Sequence, residues 1–151
     1  MSKGYTGGCY CGAVRWEVTG KPLVSAYCHC SLCQRLSGAP FINTIHFPAP
    51  AFKWVHGSDS VLDSYAVEAK PWKKRWRCKT CGACVASFHE KGNRWSMWGS
   101  QLDRDEEGKV KADMWEDLKP TVHIFYETRL LDVKDGLPKW SGYAGSSERL
   151  K

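Results

Sequence analysis

The sequence contains no apolar run near the roughly 20 residues that cross a bilayer and no opening basic-then-apolar stretch of the secretory kind. Those two absences predict a soluble, cytoplasmic chain with no membrane partner. It also has no phosphate-loop or dinucleotide-type glycine motif and no internal repeat, which argues against nucleoside-triphosphate hydrolysis, nicotinamide chemistry and solenoid or propeller folds. The acidic side chains are outnumbered: 16 Asp and Glu face 22 Lys and Arg, a formal charge of +6.

Among 151 residues, 42% are hydrophobic and 25% charged, the composition of one globular domain spanning 1–151, with flexible ends expected at 1–6 and 145–151. The 8 tryptophans and 14 glycines suit a mainly β, turn-rich fold with little helix. Alternation supports this reading, because Val14, Trp16 and Val18 interleave with Arg15 and Glu17. Further short strands are predicted over Leu23–Tyr27, Pro40–Phe47, Phe52–Val55, Val61–Tyr65, Ala83–Phe88, Arg94–Trp98 and Thr121–Glu127. Helical turns are expected at Gln34–Gly38 and Ala112–Leu118, and Met1–Gly7 reads as a lead-in with little to anchor it.

The 8 cysteines carry the chemistry. In a reducing compartment, thiols at C-x-C and C-x-x-C spacing are metal ligands rather than disulfide partners. Cys9 and Cys11, bracketed by glycines, form one half-site, and Cys78 and Cys81, followed by Gly82, form another; together they supply four thiolates, enough for a structural zinc. Cys28, Cys30 and Cys33 form a separate C-x-C-x-x-C triad. Three ligands leave one zinc position open for water or substrate, and that vacancy marks the triad as the catalytic candidate. His29 inside the triad is an alternative fourth ligand, although an extended segment would turn its ring away from Cys28 and Cys30. Cys84 is left over and reads as an apolar filler.

Two such zinc sites would lower the formal charge to about +3, which weakens the case for a nucleic-acid partner. The basic stretch Lys70–Arg77 holds Trp72 and Trp76 and could stack single-stranded nucleic acid. A one-sided strand explains it better, with Trp72, Trp76 and Cys78 on the covered face and Lys73, Arg75 and Arg77 on the wet one. A small anionic substrate met by arginine is a further possibility for the same stretch. His46 and His56 read as surface or turn residues, and His123 as a hydrogen-bonded structural residue rather than a base.

Taken together, Gly8-Cys9-Tyr10-Cys11-Gly12, Cys28-His29-Cys30-Ser31-Leu32-Cys33 with Ser37-Gly38-Ala39-Pro40-Phe41, and Cys78-Lys79-Thr80-Cys81-Gly82 resemble the glutathione-dependent formaldehyde-activating enzyme family. That family also contains centromere protein V and has the Mss4-like fold. The resemblance implies short antiparallel strands and hairpins around two zinc ions. Cys9, Cys11, Cys78 and Cys81 match the structural site, and Cys28, Cys30 and Cys33 the site tied to activity. It further implies glutathione as a co-substrate and carbon-sulfur lyase-type chemistry that joins a thiol to formaldehyde as S-hydroxymethylglutathione. The alternative is a zinc-stabilised interaction module without turnover. Arg77, where the family usually has an aromatic residue, and Leu131-Asp132, where many members carry a tryptophan, depart from the pattern.

Overall fold

The structure, a computed structural model, describes residues 2–151. Its strands are β1 Gly4–Gly8, β2 Arg15–Thr19, β3 Val24–Cys28, β4 Ile42–Pro48, β5 Phe52–Trp54, β6 Leu62–Tyr65, β7 Lys73–Cys78, β8 Cys84–His89, β9 Arg94–Trp98, β10 Val122–Ile124, β11 Lys139–Trp140 and β12 Arg149–Leu150. Two seven-residue helices, α1 Ser31–Ser37 and α2 Ala112–Leu118, and four short 3-10 turns join them in a structure that is mainly β, as the composition implies. The chain divides into two compact units. The first comprises the segment through Leu23 with Ile45–Leu118, and the second comprises Val24–Thr44 with Lys119–Lys151.

In the first unit, β1, β2 and β5 form an antiparallel sheet, and β6, β7, β8 and β9 pair antiparallel in sequence order. The β2 alternation is obeyed: Val14, Trp16 and Val18 are all fully buried. Trp16 and Val18 join Ile45, Phe47, Met97 and Leu118 in the main core, where each large side chain contributes about 1.5–3 kcal/mol. The opening residues are not an unanchored lead-in. Tyr5 is buried, Gly7 pairs with Trp16, and a Cβ on Gly7 would stand 2.5 Å from the Trp16 ring and the Gln101 carbonyl oxygen, so the close approach requires glycine.

Two further expectations fail here. His46 is buried within β4 rather than at the surface, because that strand is covered on both faces from Asn43 to Phe47. Arg75 is also buried, 9% exposed, while Lys74 is exposed, so the simple two-face reading of the basic stretch does not hold: the face that carries Arg75 is covered where it meets the buried Ser87, and a register shift beyond Trp76 breaks the alternation at Arg77 and Cys78.

In the second unit the strand order is β12, β11, β10, β3. β10 pairs parallel to both β3 and β11, where only antiparallel neighbours are expected from sequence. The predicted strand over Thr121–Glu127 stops at Ile124, because Phe125 adopts a left-handed conformation (φ 52°) that turns the chain into a 3-10 turn at Tyr126–Thr128. The C-terminal residues, expected to fray, pair as β12 with β11, Lys139 opposite Leu150 and Trp140 opposite Arg149. Ala26, Cys28 and Ile124 form this unit's buried cluster.

Candidate metal centres

The first cluster lies wholly in the first unit. Cys9 and Cys11 follow β1, Cys78 ends β7, and Cys81 closes the knuckle. The knuckle is tight because the Gly82 N–H donates to the Cys78 carbonyl at 2.9 Å and the Cys78 N–H to the Ala83 carbonyl at 2.9 Å. Gly82 takes a φ of 77°, which a side chain would resist. The four sulfurs lie within 4.8 Å of one another, with Cys9 to Cys11 at 3.6 Å and Cys11 to Cys78 at 3.7 Å. A tetrahedron with zinc–sulfur bonds of about 2.3 Å has edges of about 3.8 Å, so the spacing fits four thiolates on one zinc. It does not fit disulfides, whose sulfurs sit near 2.05 Å, and all eight cysteines are free.

The second cluster lies wholly in the second unit. Cys28 ends β3 and is buried, Cys30 caps α1, and Cys33 sits in its first turn. The helix begins at Ser31, three residues before the predicted turn, because the Cys30 sulfur accepts the Cys33 N–H at 3.2 Å and so serves as the cap. Cys28 and Cys33 sulfurs stand 3.6 Å apart, and all three lie within 4.8 Å. Among the described residues no histidine, carboxylate or further thiol joins this group, and Cys84 joins neither.

Thiols packed this closely cannot all ionise unaided. Hydrogen bonds from the Cys28 and Cys33 thiols outweigh burial and draw Cys30 down to about 2, while bonds with Cys30 and Cys33 push Cys28 far up. In the four-thiol cluster the Ala13 N–H pulls Cys11 down, but burial and the neighbouring thiols overcome it and push Cys11 up to about 11. Burial pushes Cys78 up, and the Cys81 and Thr80 N–H groups reverse that to about 6. A cation shared by each set removes the conflict, since it favours every thiolate at once.

His29 does not join the sulfurs, as its position in the extended segment implies. It is fully buried, and its Nε2 lies 2.7 Å from His123 Nδ1. His123, also fully buried, places its Nε2 2.7 Å from Asp135 Oδ2. The Asp135 Oδ1 accepts from Lys139 Nζ at 2.8 Å and from the Leu137 N–H at 3.1 Å. Burial works against its charge, but the Lys139 and His123 hydrogen bonds hold its carboxyl well below the usual range. An ionised Asp135 accepts the His123 Nε2 proton, His123 Nδ1 then accepts from His29 Nε2–H, and His29 Nδ1 is left as an acceptor. Burial first, then His123 and Arg129, bring His29 down to about 4, so it is neutral at pH 7.

The His29 peptide is fixed as well. Its N–H donates to the Ile124 carbonyl at 3.0 Å, and its carbonyl accepts from Gln34 Nε2 at 2.7 Å and Thr128 Oγ1 at 3.0 Å. The bonds flanking Cys28 and Cys30 are thereby held from three elements. Sequence reasoning took His123 as hydrogen-bonded, which it is, but missed Asp135 as its partner; nothing local in Asp135-Gly136-Leu137-Pro138 signals more than a turn.

Among the described residues no helix is long and apolar enough to cross a membrane. In comparisons, a family model described as glutathione-dependent formaldehyde-activating enzyme matches residues 4–128, which include all seven clustered cysteines. A Rhodobacter sphaeroides protein solved as a structural-genomics target shares the fold at 24% identity, with a TM-score of 0.51, covering 77% of this chain and 99% of that one. With most of its length matched and both thiol clusters assembled, the chain belongs to the glutathione-dependent formaldehyde-activating enzyme family.

Proposed function

We propose that the chain is a zinc-dependent carbon-sulfur lyase-type enzyme that takes a thiol at Cys28, Cys30 and Cys33 and promotes its addition to an aldehyde. Cys9, Cys11, Cys78 and Cys81 hold a separate structural zinc. The observation that carries this reading is the unequal ligand count, four sulfurs in one cluster and three in the other. Family membership supports glutathione as the thiol and formaldehyde as the carbonyl. In that reaction a sulfur–carbon bond forms, the carbonyl π bond breaks, and the thiol proton ends on the new hydroxyl of S-hydroxymethylglutathione.

Zinc on three thiolates supplies, when bound, a soft centre that accepts another sulfur and favours its thiolate form. The surrounding residues keep that fourth place free. His123 and Asp135 hold the His29 ring in their own hydrogen-bond chain, and the Cys33 N–H stabilises negative charge on the Cys30 sulfur.

Elemental analysis tests the assignment. The native protein should carry two zinc ions per chain, and Cys30→Ser should carry one while staying folded. A single zinc in the native protein would overturn the reading. If two zinc ions are present but glutathione changes neither the metal-edge spectrum nor the melting temperature, the chain is a zinc-stabilised interaction module instead.

A further inference from the structure

The basic stretch predicted as a one-sided strand carries a largely covered arginine that neither zinc site uses. Arg75 is 9% exposed, lies in β7, and forms no ion pair or hydrogen bond with any described residue. Its neighbours cannot neutralise it. Strands β7, β8 and β9 contain no Asp or Glu, yet carry Lys73, Lys74, Arg75, Arg77, His89 and Arg94. Asp63 in β6 is taken by Arg77 at 2.7 Å. Cys84 stands close enough for Arg75 to favour its thiolate, but burial dominates and pushes that thiol up, so it stays neutral at pH 7. None of the Arg75 nitrogens is a fully buried polar atom lacking a partner, so the guanidinium keeps contact with solvent and an anion can reach it.

The register across the sheet adds donors. Arg75 is directly opposite Ser87, and Ser87 directly opposite Ser96, so the three side chains form one row on one face. The two hydroxyl oxygens are 2.6 Å apart. One hydroxyl proton makes that bond and the other remains available to a third group. Arg75, Cys84, Ser87, Ser96 and Trp98 line a cavity of about 10 Å³, room for one water-sized atom. Cys84, Ser96 and Trp98 are partly exposed.

We propose that this row is a binding site for a small carboxylate, with one carboxylate oxygen seated between the Arg75 guanidinium and the spare serine hydroxyl. One oxygen of the ligand fits the cavity and the remainder lies outside it; the one guanidinium that lines it matches the single charge of a carboxylate, whereas a dianionic sulfate would be only half neutralised there. The carboxylate can come from a free short-chain acid or from an arm of a peptide such as glutathione. The site stands independently of the zinc assignment, because none of its residues is a cluster thiol.

The test is a titration of the zinc-loaded protein with sodium formate, followed by the amide resonances of Ser87 and Ser96, with sodium sulfate at equal ionic strength as the comparison. Saturable shifts at both amides with formate, absent with sulfate, are expected. Arg75→Met should weaken formate binding about tenfold or more, and Arg75→Lys should restore part of it. Repeating the titration with glutathione separates the sources: displacement of formate shows that a peptide carboxylate occupies the same seat, and no displacement assigns the seat to free acids. No saturable shift in the native protein, or equal shifts with sulfate, would overturn the proposal whether or not Arg75→Met folds.

Discussion

The two cysteine clusters are built in opposite ways. The four-thiol cluster joins knuckles 67 residues apart, Cys11 to Cys78, and the strands behind them, β1 and β7, belong to different sheets of the first unit. The three-thiol cluster comes from six consecutive residues, and its shape is imposed by hydrogen bonds from outside: Ile124, Gln34 and Thr128 on the His29 peptide, and His123 with Asp135 on its ring. A metal shared by the first cluster would tie the fold together. In the second the fold itself draws the three sulfurs together, as a site that exchanges one ligand would require.

Breaking the tie should have the largest effect. Cys78→Ser removes one of four ligands from a long-range cross-link and should cost several kcal/mol, visible as loss of a cooperative thermal transition together with loss of zinc. Next, Asp135→Asn weakens the acceptor at the end of the histidine chain. It should cost about 1–3 kcal/mol and lower zinc affinity at the three-thiol cluster about tenfold or more, measured by chelator competition, while the four-thiol site keeps its zinc.

Acid sharpens the comparison further, because zinc release from thiolates and protonation of buried histidines overlap. Burial foremost, with Arg94, Lys73 and His89, brings His46 down to about 3. Between that value and its ordinary 6.5 the unfolded chain binds a proton that the folded chain refuses, so stability falls as pH drops below about 6.5. From pH 6.5 to 5.5 the loss should be about 1 kcal/mol, and His46→Gln should remove that slope in denaturant titrations and leave the metal-linked part. The smallest stability change belongs to Cys30→Ser. Serine is itself a good helix cap, so α1 should persist and the melting temperature should move only a few degrees while one zinc is lost.

The partition of the cysteines was legible because ligand spacing is local: two pairs and a triad can be read without knowing the fold. Most strands were legible for the same reason, β2 above all, whose alternating residues are buried as patterned. The surroundings of the triad were not. His123 reaches His29 only because β10 runs parallel to β3, across 94 residues, and no short-range pattern specifies that pairing. Asp135 lies beyond the matched residues 4–128 as well, so the family's pattern gave no pointer to it either. Arg75 was misread because nothing in a run of alternating cations and tryptophans signals that the face carrying Arg75, opposite the buried Ser87, is covered as well. His46 was recoverable. Asn43, Thr44 and Ile45 just before it share one strand with Ile42 and Phe47, and β-prone residues of both parities in one run allow a strand covered on both faces, where a histidine is buried with the rest.

The most direct test of the contrast is zinc-edge X-ray absorption on the zinc-loaded protein with and without glutathione. One four-sulfur site and one three-sulfur site average about three and a half sulfurs per zinc, and a thiol entering the open position should raise that average to about four. An average that starts at four, or that stays at three and a half with glutathione in excess, would contradict an open, thiol-accepting centre at Cys28, Cys30 and Cys33.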